Sequence, residues 1–390
     1  MNNFEYFNPT RLVFGKGEEN RIGELLLQKI NPGEKVLLVY GGSSAKKSGL
    51  IDRVVASLEK AGLVAVDFGG ARPNPTLEHV REGIALVRRE NAKALLAVGG
   101  GSAIDTAKAI AMGVPYEGDV WDFFAKGVAP KEALPVACVL TIPAAGSEQS
   151  IRTVISGENR KLGAGSGVIR PFVSVVNPEL FFTLPAKQIR AGVIDMMSHI
   201  MERYFTQTTG VDFSSGQAEA ALCSIMKAAL RLLKDHKDYD AWCQIGLAGS
   251  FAHNGYYGLG YVEDWACHGM EHELSAWDET ITHGEGLAVV TPAWMRHVWK
   301  ENPARFVRFA RCVMGVDSEM TDEEAVKSGI DRLELFFKEM GAPTTMAELG
   351  AKNAPFEQLA ERILSGKPTL GNFKKLKKED IVAIYKLADK

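Results

Sequence analysis

The sequence predicts an N-terminal α/β domain built on a mostly parallel sheet, followed by an all-α domain, and three observations carry that expectation. From residue 11 to about residue 176, short β-branched runs alternate with amphipathic helical stretches, the pattern of successive βαβ units. Three of the β runs close in glycine or proline punctuation. After Leu184-Pro185 no comparable β run recurs.

Strands are predicted at residues 11–14, 36–40, 64–68, 94–98, 136–142 and 173–176, each a short apolar run bounded by turn residues. Helices are predicted at 186–205, 215–234, 239–254, 262–277 and 285–299, with further helices to the end. The boundary is placed near Pro185, giving domains 1–185 and 186–390. The cluster Lys374, Lys375, Lys377 and Lys378 reads as a solvated helix start.

Composition narrows the function. The 390 residues, 46% hydrophobic and 24% charged, suffice for more than one core. With 45 basic and 48 acidic side chains the formal charge is −3, which argues against a nucleic-acid partner. No apolar run reaches the roughly 18 residues of a membrane span, and the first residues lack the basic and apolar regions of a signal peptide. The five cysteines are widely spaced with no C-x-x-C pair and are expected to be reduced thiols. A cytoplasmic protein without membrane contacts is expected.

Two glycine loops point to a nucleotide. The run 94–98 is followed by Gly99-Gly100-Gly101-Ser102 and a helix start, with Ser102 expected as its cap. Glycines admit a phosphate to the backbone, and the helix N-terminus offers N–H groups and a favourable dipole end. The run 36–40 ends in Gly41-Gly42-Ser43-Ser44, followed by Lys46 and Lys47. An NAD site usually grips the ribose 2′-hydroxyl with a carboxylate near a strand end. Residues 41–44 contain none, so the loop and its lysines favour NADP(H).

Six of the eight histidines fall between residues 199 and 283. Asp195 and His199 are four apart, as are His268 and His272, so each pair shares one face of a predicted helix. His283 follows the second pair. A carboxylate with imidazoles suits a divalent first-row metal and leaves room for a substrate.

The motifs together resemble the iron-containing (group III) alcohol dehydrogenases, which share the dehydroquinate synthase-like fold. The resemblance is to their NADPH-dependent butanol dehydrogenase and aldehyde reductase branch. It runs through Asn8-Pro9-Thr10-Arg11, Tyr40-Gly41-Gly42, Pro73-Asn74-Pro75, Gly99-Gly100-Gly101-Ser102 and Gly146-Ser147-Glu148, then Gly192-Val193-Ile194-Asp195 with His199, Cys267-His268 with Glu271-His272-Glu273, and Thr282-His283-Gly284.

The resemblance implies that Asp195, His199, His268 and His283 ligate one divalent metal, Fe²⁺ or Zn²⁺, with His272 as a proton relay. It further implies NADP(H) contacts from Gly41, Gly42, Ser43, Asn74, Gly99, Gly100, Gly101, Ser102, Asp105, Thr141, Ser147, Lys161 and Leu184. A homodimer that interconverts a primary alcohol and its aldehyde, butanol and butanal in kind, is the expected protein. Glycerol or polyol dehydrogenation on the same fold, or nucleotide binding without turnover, is the alternative. Three positions depart from the family pattern: the interval from His272 to His283 is one residue longer, Gly269 stands where a bulkier residue is frequent, and Ser150 stands where Asn is common. Gly269 costs its helix about 1 kcal/mol relative to Ala.

Overall fold

The computed structural model describes residues 1–158 and 160–389, apart from the side chain of Ser43. The chain forms two compact units, Phe7–Thr183 and Leu184–Lys390, and Met1–Tyr6 packs with the second of them. In that second unit the Met1 amine donates to the Thr209 carbonyl, and Asn2 N donates to Gly260 O at 3.0 Å.

The first unit contains the strands β1 (Arg11–Phe14), β2 (Lys35–Tyr40), β3 (Val64–Phe68), β4 (Ala94–Gly99), β5 (Val136–Leu140), β6 (Arg152–Gly157), β7 (Arg160–Gly165) and β8 (Val173–Val176). Its helices are α1 (Ile22–Leu26), α2 (Ser43–Lys47), α3 (Leu50–Lys60), α4 (Leu77–Glu90), α5 (Gly101–Gly113) and α6 (Asp122–Ala125). Six strands pair in parallel in the order β1-β8-β5-β4-β2-β3. Central strands β4, β5 and β8 are buried along their whole length, as expected where helices cover both faces of a parallel sheet. Edge strand β3 alternates more exposed positions and carries Asp67.

The sequence reading missed the antiparallel hairpin β6–β7, which pairs Arg152 with Gly165 and Gly157 with Arg160. Its charged residues and three glycines, Gly157, Gly163 and Gly165, hide the alternation that marks a strand. Ser102 is also not a cap: α5 begins two residues earlier than that cap implies, at Gly101, with Gly100 at the N-cap and no side-chain cap bond.

The second unit is helical: α7 (Ala186–Tyr204), α8 (Asp212–Lys234), α9 (Tyr239–Ala252), α10 (Ala266–Trp277), α11 (His283–Val298), α12 (Pro303–Cys312), α13 (Asp322–Glu339), α14 (Met346–Leu349), α15 (Phe356–Leu364) and α16 (Lys378–Ala388). Phe205, Trp294, Phe306, Phe309 and Phe373 form an aromatic core within it. No described helix is long and apolar enough to cross a membrane.

Candidate functional site

Helical periodicity brings the predicted ligands together. Asp195 and His199 lie one turn apart on the buried face of α7, His268 and His272 one turn apart on α10, and His283 is the first residue of α11. Asp195, His199 and His268 each offer one ligand atom, all within 4.8 Å of one another. His268 Nε2 and His283 Nε2 each stand 3.7 Å from Asp195 Oδ1, and His199 Nδ1 stands 3.0 Å from it.

Two of these atoms, Asp195 Oδ1 and His268 Nε2, are buried with no hydrogen-bond partner among the described residues. Buried polar atoms are rarely left so. A carboxylate oxygen and imidazole nitrogens converging on one point fit a divalent first-row metal.

Behind the expected ligands stand two carboxylates that the sequence reading did not single out. Glu202 accepts from His268 Nδ1 and from the backbone N of Cys267, and Glu271 accepts from His283 Nδ1 and from the Ser275 hydroxyl. Both are buried. Such partners fix the tautomer and aim the opposite ring nitrogen. Their signal is positional: Glu202 lies seven residues after Asp195 and Glu271 three after His268, on the same helices.

The charges follow from this arrangement. Burial opposes the carboxylate of Asp195, yet the surrounding imidazoles hold it well below the usual carboxylate range. Burial likewise opposes the charge on His268, but Glu202 and Asp195 together outweigh it and push the imidazole up to about 9. Burial prevails for His199, which is lowered.

His272 is half-buried, its ring 5.2 Å from that of His283 and 6.2 Å from that of His268. Trp265, just before α10, has a φ of 69°, a left-handed conformation that is costly for a bulky residue. Its ring stands 5.2 Å from His268 and 5.8 Å from His199, with the Arg203 guanidinium 4.5 Å above it. Gly269, on α10, has Leu370 about where a side chain would go, 3.1 Å from a Cβ.

The first unit gathers most of the expected nucleotide residues at strand ends. Gly99, Gly100 and Gly101 join β4 to α5, where the first N–H groups of a helix have no intrahelical partner. A Cβ at Gly99 would meet Ala103 and one at Gly100 would meet Ile142, whereas Gly101 and Gly42 face open space. Gly41 and Gly42 close β2, and the backbone of Ser43 begins α2, its side chain lying outside the described atoms. Asn74 has a φ of 53° in the loop before α4. Thr141 N donates to Gly99 O at 3.0 Å, and Lys161 pairs with Ser156 across the hairpin. Leu184 belongs to the helical unit.

Asp105 and Ser147 bond to each other, Ser147 Oγ donating to Asp105 Oδ1 at 2.6 Å. Beneath them Lys108, also overlooked, donates to Ser147 O, Ser147 Oγ, Ser150 O and Arg152 O. This buried amine holds the turn that follows β5. Residues 41–44 hold no carboxylate, but one on the next strand lies nearby: the Tyr40 hydroxyl donates to Asp67 Oδ1 at 2.7 Å.

Comparison with known proteins identifies the family and the fold. The profile of the iron-containing alcohol dehydrogenases matches residues 9–178, and that of the C-terminal region of the same family matches residues 189–388. The chain is similar to the probable NADH-dependent butanol dehydrogenase 1 of Bacillus subtilis (strain 168), with 40% identity over 99% of each chain. It is similar to the NADPH-dependent aldehyde reductase YqhD of Escherichia coli (strain K12), with 33% identity over 93% of each. The crystal structure of NADH-dependent butanol dehydrogenase A from Thermotoga maritima superposes with a TM-score of 0.95 at 39% identity, covering 100% of this chain and 99% of that one.

Proposed function

The chain belongs to the iron-containing alcohol dehydrogenase family, and from that membership we propose that it interconverts a short primary alcohol and its aldehyde with a nicotinamide cofactor and one divalent metal. The observation that carries the proposal is the convergence of Asp195 Oδ1, His268 Nε2 and His283 Nε2, the first two buried and without a hydrogen bond among the described residues. Asp195, His199, His268 and His283 would hold Fe²⁺ or Zn²⁺.

When bound, the metal polarises the substrate oxygen and the nicotinamide supplies or accepts hydride. Glu202 and Glu271 keep the imidazoles of His268 and His283 aimed. His272 holds or releases the proton that the substrate oxygen exchanges. Gly99, Gly100, Gly101 and Ser102 would hold the cofactor diphosphate, and the open face of Gly101 supports that role. Asp105, Ser147, Thr141, Asn74, Lys161 and Leu184 complete the proposed contacts.

The open backbone at Gly42 admits a 2′-phosphate and thus NADP(H), while Asp67 beside Tyr40 favours the unphosphorylated form. Both cofactors are accepted in this reading. A cytoplasmic homodimer completes the proposal, and the five free cysteines support a reducing compartment.

The test is elemental analysis of the purified protein together with butanal reduction by NADH and NADPH, before and after chelation. About one metal per chain and activity that is lost to the chelator and restored by Fe²⁺ or Zn²⁺ are expected. Nucleotide binding without turnover in the metal-reconstituted protein would overturn the enzymatic reading.

A further inference from the structure

The ends of β2 and β3 are pinned together by backbone bonds from Gly70 N to Gly41 O at 3.2 Å and from Ala71 N to Tyr40 O at 3.1 Å. Asp67, on the edge strand, is thereby carried beside the Tyr40-Gly41-Gly42 turn. Its two oxygens have different partners: Oδ1 accepts from the Tyr40 hydroxyl at 2.7 Å, and Oδ2 lies 3.7 Å from Lys46 Nζ. The amine also stands 5.0 Å above the Tyr40 ring. Lys46 and Asp67 side chains are 55% and 64% exposed, so their pairing is weak and either can exchange its partner for a ligand.

In parallel sheets that bind dinucleotides, the glycine turn of one strand meets the diphosphate and the end of a neighbouring strand meets the adenosine ribose. A carboxylate there selects a 2′-hydroxyl, and a cation accommodates a 2′-phosphate. Here β4 carries the glycine turn and β2 is its neighbour, with an acid and a base both at that edge. Lys46 alone would favour the phosphate. Asp67 engages that lysine and adds a negative charge of its own.

We propose that Asp67 is the specificity-determining residue for the 2′ position of the cofactor, restraining use of NADPH by holding Lys46 and repelling the phosphate. The inference rests on the nicotinamide reading above. A 2′-phosphate, with close to two negative charges near neutral pH, has to draw Lys46 from Asp67 and then lie near a carboxylate. A 2′-hydroxyl donates to that same carboxylate.

The experiment compares wild-type protein with Asp67→Asn, Asp67→Ala and Lys46→Met. It measures dissociation constants for NADH and NADPH by fluorescence titration, and kcat/KM for each cofactor with butanal. Removing the charge at position 67 raises the NADPH-to-NADH ratio of kcat/KM at least tenfold, with the same trend in the dissociation constants, and Lys46→Met lowers it. Asp67→Asn, which still accepts from Tyr40, separates the charge from the hydrogen bond. A ratio within twofold of wild type in both position-67 variants overturns the proposal while leaving the nicotinamide reading intact. Wild-type protein that binds neither cofactor overturns both.

Discussion

Gly284 stands so close to α7 that a Cβ at its position would lie 2.1 Å from the carbonyl oxygen of Ala191. Two residues on, a Cβ at Gly286 would lie 2.7 Å from Glu271 Cγ. The first turn of α11 is therefore packed closely against α7 and α10, which carry Asp195, His199 and His268, and His283 reaches Asp195 for that reason. Gly284→Ala forces α11 away from α7. The variant should lose about 1–3 kcal/mol of stability and bind metal less tightly. Denaturation and metal analysis check this, and unchanged values for both would refute the close-packing account.

Glu202→Gln and Glu271→Gln keep the shape of each side chain but remove the charge behind His268 and His283. Metal affinity should fall about 10–100-fold in each, measured by competition with a chromogenic chelator. Full affinity in both variants would reduce these carboxylates to packing.

His272→Asn should retain its metal and fold while kcat drops by about 100-fold or more, with a changed pH profile. Wild-type turnover and pH profile in the metal-loaded variant would remove the relay role.

Lys108→Met takes away the donor shared by the carbonyls of Ser147, Ser150 and Arg152. Leaving such acceptors buried and unpaired should cost about 3 kcal/mol or more, seen as a lower thermal midpoint. A midpoint equal to wild type would show that the turn holds itself.

Asp264 lies in the helical unit, where it accepts from the backbone N–H groups of Asn372 and Phe373. Burial, reinforced by the charge of Glu202, raises its carboxyl to about 6. Because the folded pKa lies above the unfolded value, the group's favourable contribution is fully present below about pH 4 and is lost as pH rises through 6. Asp264→Asn has no such dependence and keeps an acceptor for the two N–H groups. Stability of the variant relative to wild type should therefore rise between pH 4 and 7 by up to roughly 3 kcal/mol. Denaturant titrations across that range test it; a difference that stays flat with pH contradicts the raised carboxyl.

The central strands were legible because burial on both faces demands continuous apolar runs, as in Ala94-Leu95-Leu96-Ala97-Val98. The Asp195/His199 and His268/His272 pairs were legible because helix geometry places residues four apart on one face. The hairpin β6–β7 escaped because Gly157, Gly163 and Gly165 contribute no side chains to a periodic pattern, although its two strands are adjacent in the chain. Glu202 and Glu271 escaped because helices carry many carboxylates, and only the packed partner distinguishes these two.

The sequence by itself determined the succession of an α/β unit and a helical unit, the glycine turns and the two four-residue pairs Asp195/His199 and His268/His272, since each depends on spacing within one element. Tertiary structure alone decided that Asp67 meets Tyr40 and Lys46, that Lys108 holds the Ser147 turn, and that Gly284 brings His283 to Asp195. Local spacing follows from the backbone geometry of a single helix or strand, whereas these encounters depend on strand register and on how closely two backbones approach, which are set only when separate elements pack together.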